Sequence, residues 1–250
     1  MLSHRVRICP EYIWRVFNIS QMDFQFSFSQ MVNLFRSPSE VYGFHVLIDF
    51  RYKTTKFRKQ IKNQWARDDP AFVAVLCYFI LMASLAYSVT FGVSSAWHFW
   101  RIVAGHVFIE FLGFGCLIAT SMRWIANKYM RVPRVLSTEQ EVEWLYSFDI
   151  HCNGYFPLFV LLYVVQLFLA PLLIREGSLA TILADTLYAV AFSYYFYIIF
   201  LGYNVLPFLQ NTQRFLTIPV LCVFITYVCL VVSNVNICRV VLELYFGRSS

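Results

Sequence analysis

Residues 63–94 read NQWARDDPAFVAVLCYFILMASLAYSVTFGVS, a charged, tryptophan-bearing block that gives way at Ala71 to an apolar run of membrane-spanning length. The junction has a physical logic. Asp69 is placed as a helix N-cap and Pro70 as the first helical residue, where a missing N–H costs nothing. Asp68 adds negative charge near the helix's positive end. Trp65 and Arg67 suit the headgroup level, each carrying an apolar body and a polar tip. The block therefore marks where the chain inserts into a membrane.

The rest of the chain agrees. Of its 250 residues 59% are hydrophobic and only 14% charged, with a mean hydropathy of +0.59. A soluble domain carries roughly 45–50% apolar and about 25% charged residues. Spanning helices need about 20 mostly apolar residues, and five runs reach that length: 71–94, 102–122, 155–174, 179–201 and 215–238. None alternates with period two, which excludes an outer-membrane barrel. The fourth run holds Asp185 and several tyrosines and is the weakest on hydropathy alone. The expected fold is an all-α membrane protein with five transmembrane helices. Residues 1–70 form an N-terminal amphipathic and polybasic region, 71–238 the membrane domain, and 239–250 a short tail.

Orientation follows from lysine and arginine. Of the 20 in the chain, 16 fall in 1–70, 123–154 and 202–214, on the N-terminal side. The other side keeps Arg101, Arg175, Arg239 and Arg248. The N-terminus is therefore expected to be cytosolic and the C-terminus lumenal, and the Asn18-Ile19-Ser20 sequon should stay bare. The opening MLSHRVRICPEYIWRVF lacks a continuous apolar core and a small-residue cleavage site, so insertion is expected to begin at the first internal span. The seven cysteines lie mostly in spans without CxxC pairing and read as small apolar fillers.

Within the first 70 residues, Ser20 and Asp23 suggest a capping box. Phe24, Phe28, Met31 and Phe35 then fall on one helical face, favouring an interfacial amphipathic helix over a strand. Ser37, Pro38 and Glu40 give a second helix start. A basic run follows, with Arg51, Lys53, Lys56, Arg58, Lys59 and Lys62 interleaved with aromatic residues. Anionic cytosolic lipid is the favoured partner, at about 1 kcal/mol per basic residue. RNA bound by phosphate contacts and stacking is the alternative.

The loop 123–154 balances its acidic and basic residues, so it is no electrostatic lipid anchor. With Trp144, Asp149 and His151 it reads as a docking surface for a cytosolic protein, joined there by the Trp65–Pro70 block. Asp149 and His151 read as polar caps of the third span rather than as a metal pair. Inside the spans, His106 and Glu110 lie four apart on one helix and Asp185 on another. Ionisable groups at such depth call for a role. A hydrogen-bonded cluster pinning the second and fourth spans is the favoured reading, with proton or cation transport as the alternative. No HExxH, no Ser/His/Asp order and no phosphate loop is present, so neither catalysis, nor a cofactor, nor a metal site is expected.

Several blocks in order carry a family resemblance: Gln21-Met22-Asp23-Phe24, Ser37-Pro38 with Val41-Tyr42, NQWARDDPAF, Leu117-Ile118-Ala119-Thr120, Val142-Glu143-Trp144, Phe148-Asp149-Ile150-His151-Cys152-Asn153 and Phe200–Leu209, FLGYNVLPFL. Together they resemble the UNC-fifty family over residues 20–215. The resemblance implies five spans, a cytosolic N-terminus and residence in the Golgi membrane, with some members at the inner nuclear membrane. It implies a non-enzymatic role in early secretory trafficking, notably delivery of nicotinic acetylcholine receptors to the cell surface. Partners implied are the exchange factors that activate Arf GTPases and receptor subunits as cargo, with RNA as a weaker attribute. One departure is the stretch GFHVLIDFRY, residues 43–52, which reads as an insertion between the Val-Tyr pair and Arg58-Lys59-Gln60.

Overall fold

The computed structural model describes residues 22–42, 67, 69–132 and 140–247. Trp65, Asp68, the basic positions Arg51, Lys53, Lys56, Arg58, Lys59 and Lys62, and the stretch 43–52 lie outside the described residues. Two short helices come first, α1 (Phe24–Arg36) and α2 (Pro38–Tyr42). Five helices long and apolar enough to cross a membrane follow: α3 (Ala71–Thr90), α4 (Ala96–Met130), α5 (Trp144–Leu173), α6 (Ser178–Asn204) and α7 (Arg214–Val232). A last helix, α8, covers Ile237–Phe246. Among the described residues there is no strand, only an isolated antiparallel bridge between Arg131 and Leu209. The all-α, five-span expectation is met, including the tyrosine-rich fourth span, whose hydropathy of 1.4 is the lowest of the set.

Local chemistry explains where each helix begins. Asp69 Oδ1 accepts the Ala71 N–H at 2.9 Å, and the Pro70 carbonyl accepts that of Ala74 at 3.1 Å. Asp69 thus satisfies an N–H of the first turn, as a cap does, although Pro70 rather than Asp69 is the N-cap position and the helix begins at Ala71. Asp23 caps α1 by accepting the Phe26 N–H at 2.9 Å, while Ser20, the other half of the expected capping box, lies outside the described residues. The buried stripe of α1 is Ser27, Met31 and Leu34, rotated from the expected phenylalanine face. Phe24, Phe28 and Phe35 stay largely exposed. Phe28 and Phe35 still touch the bundle through the rings of Phe79, Phe156 and Tyr194, 5.8 to 6.3 Å away. The helix thus leans on α3, α5 and α6 with aromatic residues left facing outward, as an interfacial helix does.

Two spans depart from regular winding. In α4 the stretch Gly105–Gly113 is π-helical, and in α5 so is Val160–Val165, which begins three residues after Pro157. A proline removes one rung of the hydrogen-bond ladder, and a wider turn is one way the backbone absorbs it. Helix α5 also starts at Trp144, ahead of the expected 155, so Pro157 lies mid-helix rather than near a span end.

Glycines set how closely the central helices approach. A Cβ on Gly202 of α6 would lie 2.7 Å from Ile150 Cγ1 of α5, and one on Gly115 of α4 would lie 2.5 Å from His151 Nε2. Small residues let helices in a membrane gain dispersion where no hydrophobic driving force exists. By contrast α7 is peripheral: Phe215 is its sole buried residue, and Ile218, Leu221 and Phe224 point outward.

At one face, here the N-terminal face, the ends of α4 and α6 meet the start of α5. Val132 donates to the Phe208 carbonyl at 3.0 Å, and Tyr203 Oη donates to Ser147 Oγ at 2.9 Å. At the opposite face α8 folds back on the bundle. Asn236 donates to the Leu173 carbonyl at 2.7 Å, Asp185 Oδ1 accepts the Ile237 N–H at 3.1 Å, and His98 Nε2 donates to the Tyr245 carbonyl at 2.9 Å. The fifth span therefore ends at Val232 rather than 238, and most of the expected short tail belongs to a packed helix, with Cys238 and Leu242 buried.

Candidate functional site

Two regions gather the polar residues that the sequence singles out. The first is the N-terminal face. The Arg67 N–H donates to Asp149 Oδ2 at 2.6 Å, and its guanidinium donates to Asn153 Oδ1, one turn further along α5, while lying 4.3 Å over the Phe72 ring. Asp69 Oδ2 accepts the Asp23 N–H at 2.8 Å, tying the start of α1 to the start of α3. Pro70 is buried. The described part of the NQWARDDPAF block is thus a clasp that fastens α1 and α3 to α5.

This corrects the reading of Asp149 and His151. Both lie inside α5 and are buried, at 6% and 2% exposure, so neither caps a helix nor presents a docking surface. His151 joins three helices: Nε2 donates to the Phe111 carbonyl of α4 at 3.1 Å, and Nδ1 pairs with Tyr195 Oη of α6 at 2.8 Å. A carbonyl can only accept, so Nε2 carries the hydrogen and the tyrosine donates to Nδ1 of the neutral ring. Phe111 sits within the π-helical stretch, whose altered ladder leaves carbonyls free for such partners.

What this face does expose is a cluster at the end of α4. Trp124 and Tyr129 are 55% and 57% exposed, and their rings meet edge-on at 5.6 Å. The Lys128 ammonium lies 4.7 Å from the Trp124 ring and 5.2 Å from that of Tyr129, within cation–π range. Trp144, an expected docking residue, is exposed too, donating to Thr120 Oγ1 at 3.0 Å and stacking on Phe148. Arg131 and Glu141 pair at 3.7 Å across the connection between α4 and α5. Helix α4 has 35 residues, about 52 Å at 1.5 Å per residue, against a hydrocarbon core of about 30 Å. The helix is therefore longer than a span requires, and the cluster lies in its last turns.

The second region lies within the spans. Glu110 accepts hydrogen bonds from Tyr163 of α5 at Oε2 and from Tyr245 of α8 at Oε1. The His106 ring lies 5.1 Å from that of Tyr163 and 4.5 Å from that of Tyr245, and its Nδ1 is 2.9 Å from Ser84 Oγ of α3. Ser84 spends its hydroxyl hydrogen on the Ile80 carbonyl, so His106 Nδ1 is the donor in that pair. The histidine and carboxylate thus pin α4 to α3, α5 and α8. Asp185 is not part of the cluster, which corrects the expected link between the second and fourth spans. It is 1% exposed, holds the start of α8, and faces a different cavity between α6 and α7. Among the described residues no three His, Cys, Asp or Glu side chains are grouped to hold a metal.

Comparison with known proteins now gives the fold a family. The chain matches the UNC-50 family over residues 12–246. It belongs to that family. Relatives include the protein unc-50 homolog of Dictyostelium discoideum, 46% identical over 96% of this chain and 88% of the relative. Protein unc-50 of Caenorhabditis elegans is 38% identical over 94% of this chain and 73% of its own length. The protein GMH1 homolog of Schizosaccharomyces pombe is 35% identical, over 95% and 97% respectively. No solved structure matches. The UNC-50 match runs on to the end of α8, past the 215 boundary of the motif resemblance, so the peripheral α7 and the returning helix belong to the family unit.

Sequence reasoning about this UNC-50 chain missed Trp124 as an exposed anchor and missed the tyrosines around Glu110. The signal for the latter was present. Tyr155 and Tyr163 lie eight apart and Tyr188 and Tyr195 seven apart, spacings that repeat on a helix face.

Proposed function

We propose that this UNC-50 family member is a non-enzymatic, multi-pass Golgi membrane protein of early secretory trafficking. In this reading it supports cell-surface delivery of nicotinic acetylcholine receptors by docking cytosolic machinery, Arf exchange factors foremost, on its N-terminal face. The observation that carries the docking site is the Trp124–Lys128–Tyr129 cluster, an exposed aromatic and cationic group on a helix longer than a span requires. Tryptophan and tyrosine are usual anchors of protein interfaces, because they bury large area at low entropic cost. The lysine and arginine excess supports a cytosolic setting for this face. The docking surface is narrower than the whole 123–154 segment, since the residues from Tyr146 to Tyr155 are buried.

Cells lacking their own family member, and expressing a nicotinic receptor, test the reading. Wild-type chain restores receptor at the surface, while Trp124→Ala combined with Tyr129→Ala reaches the Golgi and restores little. Full rescue by that variant would remove the docking site from the proposal. The transport alternative keeps only His106 and Glu110, because Asp185 faces another cavity.

A further inference from the structure

The Glu110 cluster forms one end of a cavity of about 370 Å³ within the bundle. That size lies in the range of about 300–1,000 Å³ seen for small-molecule sites. Its walls are mostly apolar and include Leu158 and Leu162 of α5 and Leu242 of α8. Phe114 of α4 and Phe192 of α6, at its rim, are exposed on the spanning surface, so it opens sideways toward lipid. A ligand with a long apolar body would reach the cavity from the bilayer.

The unpaired polar atoms define the other end of that ligand. Gln166 is 2% exposed and lines the cavity, and its Oε1 accepts no hydrogen bond. Because His106 Nδ1 donates to Ser84, Nε2 of the neutral ring is left as an acceptor. A carboxylate offers about four lone-pair sites, and the two tyrosines on Glu110 fill half of them. These leftovers are acceptors, and a carboxylate stands among them, yet neither lysine nor arginine lines the cavity. An uncompensated carboxylate is costly at this depth. A neutral alcohol offers a single donor, and a quaternary ammonium offers none. A primary ammonium carries three donors and the compensating charge, and the surrounding tyrosine rings favour a cation further.

We propose that this cavity binds a primary-amine amphiphile, its ammonium held among Glu110, His106 Nε2 and Gln166 Oε1 and its chain lying toward the gap between α4 and α6. The inference is independent of the docking surface at the N-terminal face.

The test uses the full chain in lipid nanodiscs and radiolabelled decylamine, with empty discs correcting for partition into lipid. Decylamine should bind saturably, one per chain. Decanol, which keeps the chain without the charge, and propylamine, which keeps the charge without the chain, should each compete at least about tenfold more weakly. Glu110→Gln should weaken decylamine about tenfold, and Gln166→Leu should weaken it about threefold, while both variants elute as the wild type does. Equal competition by decanol overturns the amine assignment, and equal competition by propylamine overturns the amphiphile. Unchanged binding in both variants, or no saturable component, overturns the site. If Glu110→Gln does not fold, Gln166→Leu decides alone: its Oε1 is unpaired, and the hydrogen bonds that the rest of its amide makes with Tyr87 and Tyr188 are removed separately by Tyr87→Phe with Tyr188→Phe, which should leave decylamine binding unchanged.

Discussion

The backbone N–H of Arg67 donates to the buried carboxylate of Asp149 at 2.6 Å across 82 positions of sequence. This contact holds the segment before the first span against the third-span helix. Asp149→Ala leaves that N–H without its acceptor, at a cost of about 1–3 kcal/mol. The expected outcome is faster proteolysis near Arg67 and a lower unfolding temperature in detergent. Asp149→Asn keeps an acceptor oxygen and should recover most of the loss. Equal protease resistance in wild type and Asp149→Ala would contradict the clasp.

Tyr245 ties α8 to Glu110 in the middle of the bundle. Tyr245→Phe removes this donor, leaves the Tyr163 bond, and should cost about 1–2 kcal/mol, the lower part of the range for hydrogen bonds to charged groups in water or membrane. In a double-mutant cycle with Glu110→Gln the two losses should be less than additive. Strict additivity would show that the pair does not couple. Hydrogen exchange confined to residues 237–246 should rise in Tyr245→Phe.

The close approach of α5 and α6 depends on Gly202. Gly202→Val places methyl groups where Ile150 already sits within 3 Å of a single Cβ, and overpacking of this kind costs about 1–3 kcal/mol or more. Ile150→Ala should partly rescue it by vacating the space. A Gly202→Val variant as stable as the wild type would show that the helices have room that the packing denies.

The lysine and arginine count predicts that the two faces meet different compartments. Trp97, 78% exposed at the start of α4, lies on the α8 side, and Lys128 lies on the other. In intact Golgi vesicles, a single cysteine at Lys128 should react with a membrane-impermeant maleimide at once, and one at Trp97 only after the membrane is opened. Asn18 should carry no glycan. The reverse pattern would invert the orientation that the charge count gives.

Much of the fold was legible in the residues because membrane-spanning imposes length and apolarity locally. The cap at Asp69 was equally plain, since Asp-Pro ahead of an apolar run has a direct geometric meaning. Asp149 and His151 were misread for a corresponding reason. Polar residues before an apolar run resemble a helix start, and nothing local shows that neighbouring helices bury and satisfy them. Helix α8 was hidden because its ten residues are amphipathic and too short for a span, and its docking rests on distant partners such as Leu173, Asp185 and Glu110. His106 and Glu110 stood out as a pair, but their tyrosine partners come from other helices. Ring orientation at Trp124 is likewise a matter of tertiary structure.

Docking of Arf exchange machinery on the exposed α4 cluster, as proposed above, makes a quantitative demand on those side chains. The most direct measurement is the affinity of a purified Arf exchange factor for the chain in nanodiscs, for wild type, Trp124→Ala with Tyr129→Ala, and Trp97→Ala as an opposite-face control. The double variant should lose at least about 2 kcal/mol, roughly thirtyfold in affinity, while Trp97→Ala binds as the wild type does. Equal affinity for all three, or no binding by the wild type, would contradict it.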